Sequence, residues 1–196
     1  MTDFDLAKLC QAVYAGQTGF DHWLEVNQIV AGIKYVEEKT VIVFRGSDAM
    51  IDWIRDIDAV PVPYPGMGMV HQGFIEGLDD FHKAALPLIN GNVIVTGHSL
   101  GASRAVLFGA ILFNTGIPPA SIVGFEPAKT STDGILSNLL QPVSVRLYKN
   151  GNDLVPDLPE GMDYRHAVDL LHVGEASEPI PNITDHEIAR VVKALS

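Results

Sequence analysis

A chain of 196 residues, 47% hydrophobic and 19% charged, holds the material for one full core and is not the composition of a disordered polyelectrolyte. Its 24 acidic residues against 13 basic ones give a formal charge of −11, a field that repels nucleic-acid backbones and strongly anionic membrane surfaces. Cys10 is the only cysteine, which excludes an internal disulfide. Residues 1–20 carry no basic, apolar leader, and no apolar run approaches the roughly 18 residues of a spanning helix. The expectation is a single soluble domain over residues 1–196, cytoplasmic, with no transmembrane segment, no nucleic-acid partner and an open oligomeric state; export by another route stays open.

In chain order, Leu6, Leu9, Cys10 and Val13 recur at helical spacing before Gly16, which predicts a first helix with Cys10 as a buried small hydrophobe. Ile29–Val36 and residues 41–44 are β-rich runs around Glu37-Glu38-Lys39-Thr40, a predicted hairpin. Pro61, Pro63 and Pro65 predict a loop. Phe74, Leu78, Phe81, Ala85 and Leu88 predict one amphipathic helix. After the turn Asn90-Gly91-Asn92, residues 93–96 read as a short buried strand and 102–113 as a buried helix closed by Asn114 and Gly116. Ser121–Phe125 and residues 143–148 read as further buried strands, and 164–173 as a strand pair. Ile188, Val191, Val192 and Leu195 form the stripe of a last helix, with Thr184 and Glu187 as its capping box. Continuously apolar strands alternating with helices imply an α/β fold: a mostly parallel central sheet flanked by helices, with an early antiparallel hairpin.

Gly97-His98-Ser99-Leu100-Gly101 fits G-x-S-x-G, with an apolar strand before it and a helix after it. In that context the serine stands at the tip of a strained strand-to-helix turn, and side chains at Gly97 or Gly101 would collide. The helix N-terminus behind it favours the oxyanion formed when the hydroxyl attacks a carbonyl. Ser103, one helical turn on, reads as a packing or capping hydroxyl.

The order Phe44-Arg45-Gly46-Ser47, Asp52-Trp53-Ile54-Arg55-Asp56, Val70-His71-Gln72-Gly73-Phe74, then the motif at 97–101, resembles the class 3 lipase family. Gly151-Asn152-Asp153-Leu154-Val155-Pro156 resembles the family's catalytic-aspartate loop. The resemblance is continuous from Phe44 to about Lys129 and patchier beyond. It implies an α/β-hydrolase fold and a role for Ser47, whose N–H and hydroxyl would face the oxyanion beside the Leu100 N–H. Ser47 also reads as an N-cap of the next helix. Asp56 is either the support of that serine loop or a solvated carboxylate. Residues 49–58 match a short helix that in the family covers the site and opens at a lipid surface; Trp53 and Ile54 belong to such a lid or pack into the core. Ala102 replaces a second family glycine, the cysteines of secreted members are absent, and Gly124-Phe125-Glu126-Pro127-Ala128 matches the family only loosely.

A serine nucleophile needs a base, and the base needs a carboxylate to fix its tautomer. Downstream of Ser99 the acids are Asp133, Asp153, Asp157, Asp163, Asp169 and Asp185. Asp153 directly follows a predicted strand and matches the family, with Asp157 its nearest competitor. The bases are His166, His172 and His186. His186, expected just inside the last helix, is where family members place the base; His166 and His172 read as structural or pocket-lining. His71 and His98 match structural family positions, and His22 and His82 read as surface or packing residues. The expected protein is a lipase or carboxylesterase acting on an ester or lipid substrate, with a transient lipid interface and no metal or organic cofactor. Phospholipase A1, thioesterase, acyltransferase or peptidase chemistry on the same fold, and a non-catalytic protein retaining it, are the competing readings.

Overall fold

The computed structural model describes residues 1–47, 59–161 and 163–196. Helix α1 (Asp3–Ala12) begins at Thr2, whose hydroxyl accepts from the Asp5 N–H while the Asp5 carboxylate accepts from the Thr2 N–H. That reciprocal pair satisfies two donors the first turn would otherwise leave unpaired. Leu6, Ala7 and Cys10 face inward, and Cys10 lies 3.4 Å from the Thr96 hydroxyl. Burial pushes the Cys10 thiol up to about 12, which makes it a packing residue and a poor nucleophile.

Seven strands form one sheet: β1 (His22–Val26), β2 (Ile29–Val36), β3 (Lys39–Phe44), β6 (Asn92–His98), β7 (Ser121–Phe125), β8 (Val145–Asn150) and β9 (Leu170–Val173), adjacent in that order. The pairs β1–β2 and β2–β3 are antiparallel, and every pair from β3 to β9 is parallel. The α/β expectation, with its early hairpin, holds. Both faces of the parallel strands are covered. Val41, Val43, Ile94, Val123 and Phe125 meet α1 and α6 (Ile188–Ala194) on one side. Ile42, Phe44, Val93, Val95 and Ile122 meet α4 (Leu100–Asn114) on the other. This two-sided burial is why these strands are apolar at successive positions. Helix α4 is itself buried from Leu100 to Leu112 except at Arg104. Phe44, Phe81 and Phe108 meet there with ring centroids 4.9 to 5.3 Å apart.

Several local expectations differ from the structure. The segment around Pro61 and Pro63 is a strand, β4 (Pro61–Tyr64), paired with β5 (Gly68–His71) in a separate two-stranded ribbon. A two-stranded ribbon is all edge, where proline's missing N–H is tolerated. The single helix expected over 74–88 is broken at Gly77, whose φ of 82° ends one helix and admits the next: α2 (Gln72–Ile75) and α3 (Leu78–Ala85), then a 3-10 turn over Leu86–Leu88. The strand pair over 164–173 reduces to β9, while Arg165 bridges Ser131. Strand β1 lies half exposed at the sheet edge and carries no clear alternation. Helix α5 (Ile135–Leu140) completes the α4 side of the sheet.

Candidate active site

The parallel registers Phe44↔Gly97 and His98↔Phe125 bring the C-terminal ends of β3, β6 and β7 level, the edge where sites gather in such sheets. Ser99 stands there between β6 and α4 at φ 60°, ψ −132°, a conformation strained for any residue with a side chain. Its neighbours hold it. Its N–H donates to the Phe125 carbonyl at 2.9 Å, and its own carbonyl accepts from Ala102 and Ser103 at 2.9 and 3.2 Å. The two motif glycines are sterically required. A Cβ on Gly97 would sit 2.3 Å from the Gly101 carbonyl, and one on Gly101 would sit 2.4 Å from the Phe44 carbonyl. Gly46 is equally confined, 2.8 Å from the His98 carbonyl and 3.1 Å from the Ser99 Cβ by the same measure. The end of β3 is therefore pressed against the turn, with Ser47 next after Gly46. Leu100 is the first residue of α4, where an N–H has no carbonyl one turn earlier in the helix to bond. The two residues expected to donate to an oxyanion thus adjoin Ser99 from separate elements. The Ser103 hydroxyl donates to the Ala128 carbonyl at 3.0 Å, as its packing role implies.

Asp153 and His186 meet. His186 Nδ1 donates to Asp153 Oδ2 at 2.6 Å, and both side chains are fully buried. With the proton on Nδ1, the lone pair of a neutral imidazole lies on Nε2. Neither His186 Nε2 nor Ser99 Oγ makes a hydrogen bond with the described residues, and both atoms are buried. Asp153 sits in the turn after β8, where its other oxygen accepts the Val155 N–H at 3.0 Å. Burial opposes ionisation of Asp153, but its surroundings, the His186 hydrogen bond foremost, outweigh it and hold its carboxyl below the usual range.

His186 is not inside the last helix. It ends a 3-10 turn over Thr184–His186, and Glu187, in extended conformation, precedes α6. The Thr184–Glu187 capping box does not form, so a helix terminus does not hold this imidazole. Asp185 does that work instead. Its buried carboxylate accepts the Asn152 N–H at 3.0 Å, the Ser177 N–H at 3.1 Å and the Asn182 amide at 3.1 Å. Its carbonyl accepts the Asn150 amide at 2.8 Å. Burial works against the Asp185 charge, yet these donors hold its carboxyl at about 2. One residue thereby ties the loop bearing Asp153 to the turn bearing His186.

His98 supplies the second tie, as its structural reading anticipates. It donates from Nε2 to the His186 carbonyl, its Nδ1 accepts from Tyr14, and its ring lies 4.7 Å from that of His186. Glu126, just after β7, was not anticipated at all. It is fully buried at φ 56°, and its Oε1 accepts the Asn150 N–H at 2.5 Å. Burial and the neighbouring Asp153 push its carboxyl well above the usual range. A signal was present in the sequence: an acid following the apolar run of a buried strand at the site edge. Glu126, Asp153 and His186 offer ligand atoms within 4.8 Å of one another. His186 Nδ1 is already engaged by Asp153.

The remaining candidates are engaged elsewhere or exposed. Asp157 binds the Lys149 ammonium with both oxygens at 2.8 Å. Asp133 accepts main-chain N–H groups of Met69 and Ile135, while Asp163 and Asp169 are exposed. His166 Nε2 donates to the Pro156 carbonyl at 2.8 Å, and His172 is exposed on β9. His71 stacks on Phe74, His22 lies edge-on to Tyr35, and His82 edge-on to Phe108. The expected supporting or lid residues Trp53, Ile54 and Asp56 lie outside the described residues.

Comparison with known proteins places the chain by family and by fold. The lipase from Rhizomucor miehei is 30% identical over 154 residues, covering 70% of this chain and 41% of that protein. A chloroplastic phospholipase A1 of Arabidopsis thaliana is 29% identical over 90 residues, covering 41% of this chain and 13% of that protein. The chain spans less than half the length of these curated relatives. A solved structure of Rhizomucor miehei triacylglyceride lipase superposes with a TM-score of 0.71 at 19% identity, covering 99% of this chain and 96% of that one, which shows a shared fold. The family model for lipase (class 3) matches residues 41–162, more than half of the sequence, and the chain belongs to the class 3 lipase family.

Proposed function

We propose that the protein is a serine ester hydrolase, of the lipase or carboxylesterase type, with Ser99, Asp153 and His186 as its triad. The observation that carries this reading is the 2.6 Å bond from His186 to Asp153 beside the strained turn of Ser99. In the proposed reaction His186 Nε2 takes the Ser99 proton as Oγ attacks the ester carbonyl carbon. The negative charge on the carbonyl oxygen is met by the N–H groups of Ser47 and Leu100. Collapse expels the alcohol, which takes the proton from His186 and leaves Ser99 acylated. Water, deprotonated by the same imidazole, then attacks the acyl-enzyme and releases the acid. Asp153 stays ionised and stabilises the imidazolium in both halves. Every proton passes between substrate, water and these side chains, so the cycle closes with no metal or organic cofactor.

Acyl esters of neutral lipids are the proposed substrates, met at a transient lipid interface. A charge of −11 disfavours anionic surfaces, and no helix among the described residues is long and apolar enough to cross a membrane. The phospholipase relative motivates a second arm of the test. Short and long p-nitrophenyl esters and a phosphatidylcholine are offered to wild type and Ser99→Ala, with and without a lipid interface. Turnover by wild type alone, together with labelling of Ser99 by a fluorophosphonate, supports the proposal. Equal turnover by both proteins, or no labelling of Ser99, overturns it.

A further inference from the structure

Glu126 enters no step of the proposed reaction, yet it is fully buried beside Asp153 and His186. Its main chain is held by its N–H, which donates to the Tyr148 carbonyl at 2.8 Å. Its Oε1 accepts from Asn150, the last residue of β8 and the root of the turn that carries Asp153. Its Oε2 is buried and receives no hydrogen bond from any donor among the described residues. The carboxyl lies against that of Asp153, within 4.8 Å of the ligating atoms of both Asp153 and His186. Two buried carboxylates in contact do not both ionise, because neither is compensated by solvent and each opposes the other's charge.

The surroundings decide which acid keeps the proton. Asp153 faces the His186 N–H at 2.6 Å and accepts a second N–H from Val155. Glu126 accepts one main-chain N–H, and no cation among the described residues is in hydrogen-bond contact with it. Among the described residues the charged and titratable groups around it are Asp153, His186 and Lys149, with His98 beyond His186. The Lys149 ammonium is bound to Asp157, and His98 is a neutral donor to the His186 carbonyl. Asp153 therefore holds the charge and Glu126 the proton.

We propose that Glu126 is a positioning residue that stays a neutral acid and donates its proton to the Asp153 carboxylate, extending the proposed triad to a chain of Glu126, Asp153, His186 and Ser99. Its donation fixes the orientation in which Asp153 faces His186. Its neutrality keeps a second negative charge from raising the proton affinity of the base. The inference rests on reading Asp153 and His186 as the base pair. Glutamine at position 126 reproduces the neutral form, with an amide oxygen for the Asn150 N–H and an amide N–H for Asp153.

The test compares wild type, Glu126→Gln and Glu126→Leu by the pH dependence of kcat/KM on a short p-nitrophenyl ester. Glu126→Gln is expected to keep its acid limb within about half a pH unit of wild type, since no charge beside His186 is lost. Glu126→Leu is expected to lose about tenfold or more in kcat at nearly unchanged KM, and glutamine to restore it. An acid limb displaced downward by about one pH unit in Glu126→Gln shows an ionised Glu126 and overturns the proposal, as does a glutamine variant as impaired as the leucine one. An infrared difference spectrum of wild type minus Glu126→Gln at neutral pH reads the proton without activity. The carbonyl band of a protonated carboxyl is expected in wild type, and its absence refutes the assignment. Should the hydrolase reading itself fail, no protein in the set turns over ester, while the infrared result still decides the state of Glu126.

Discussion

His98 donates from its Nε2 to the main-chain carbonyl of His186 at 2.8 Å, so the residue before Ser99 holds the backbone of the residue proposed as its base. Tyr14, just after α1, fixes the tautomer by donating to Nδ1 at 2.8 Å. Three segments remote in the chain are thereby locked at one sheet edge by a single neutral ring. Burial comes first, and the nearby His186 second, in depressing the His98 pKa from 6.5 to about 3.

That depression sets a pH dependence. The unfolded chain protonates His98 near 6.5 and the folded one only near 3, so the stability it contributes is complete above the unfolded value and is lost as pH falls through this window. Its slope is up to about 1.4 kcal/mol per pH unit. His98→Asn is expected to be less stable at neutral pH and to lack this part of the acid slope. Urea denaturation of both proteins at several pH values gives the difference; parallel curves would contradict it.

The strain at Ser99 is expected to appear as stability when it is released. Alanine keeps the side chain at φ 60°, whereas glycine adopts that backbone freely. Relieved strain, set against the greater unfolded entropy of glycine, leaves Ser99→Gly more stable than Ser99→Ala by about 1 kcal/mol. Thermal unfolding of the two variants measures it.

Gly101→Ala is expected to be destabilised by about 3 kcal/mol or more, because the new Cβ meets backbone that has no room to move. The clash is with the Phe44 carbonyl at 2.4 Å, so β3 and the start of α4 would have to part, misplacing Ser47 and Leu100. Gly134→Ala is the control: its φ of −84° suits alanine and nothing lies within 4 Å. It should change stability by less than about 0.5 kcal/mol. Chemical denaturation of both variants, with ester turnover alongside, separates the two outcomes.

Asp185→Asn is expected to lower kcat and to cost about 2 to 3 kcal/mol of stability, since an amide matches the N–H groups of Asn152 and Ser177 poorly. The Asp185 carboxyl lies at about 2 when folded against 3.8 ordinarily, so its contribution is present above the ordinary value and is lost as pH falls through about 2. Activity at wild-type level in Asp185→Asn would show that the Asp153 loop and the His186 turn hold their places without it.

How far the chain is legible depends on the range of the interaction involved. The turn at Gly97–Gly101 announces itself because its clashes arise among neighbours and one adjacent strand. The parallel core is equally visible, since burial on both faces leaves no polar alternation in residues such as Ile94 and Val95. The break at Gly77 is harder to see, because one glycine within a good helical stripe continues or ends it according to what surrounds it.

Short patterns and the order of motifs along the chain are enough for the fold class and the turn at Ser99, and they single out Asp153 and His186 for the proposed triad. What holds them emerges only from packing: His98 on the His186 backbone, Asp185 across two loops, and Glu126 against Asp153. Those roles come from burial beside partners remote in sequence, and a carboxyl or imidazole takes its charge from that surrounding, which no local pattern records.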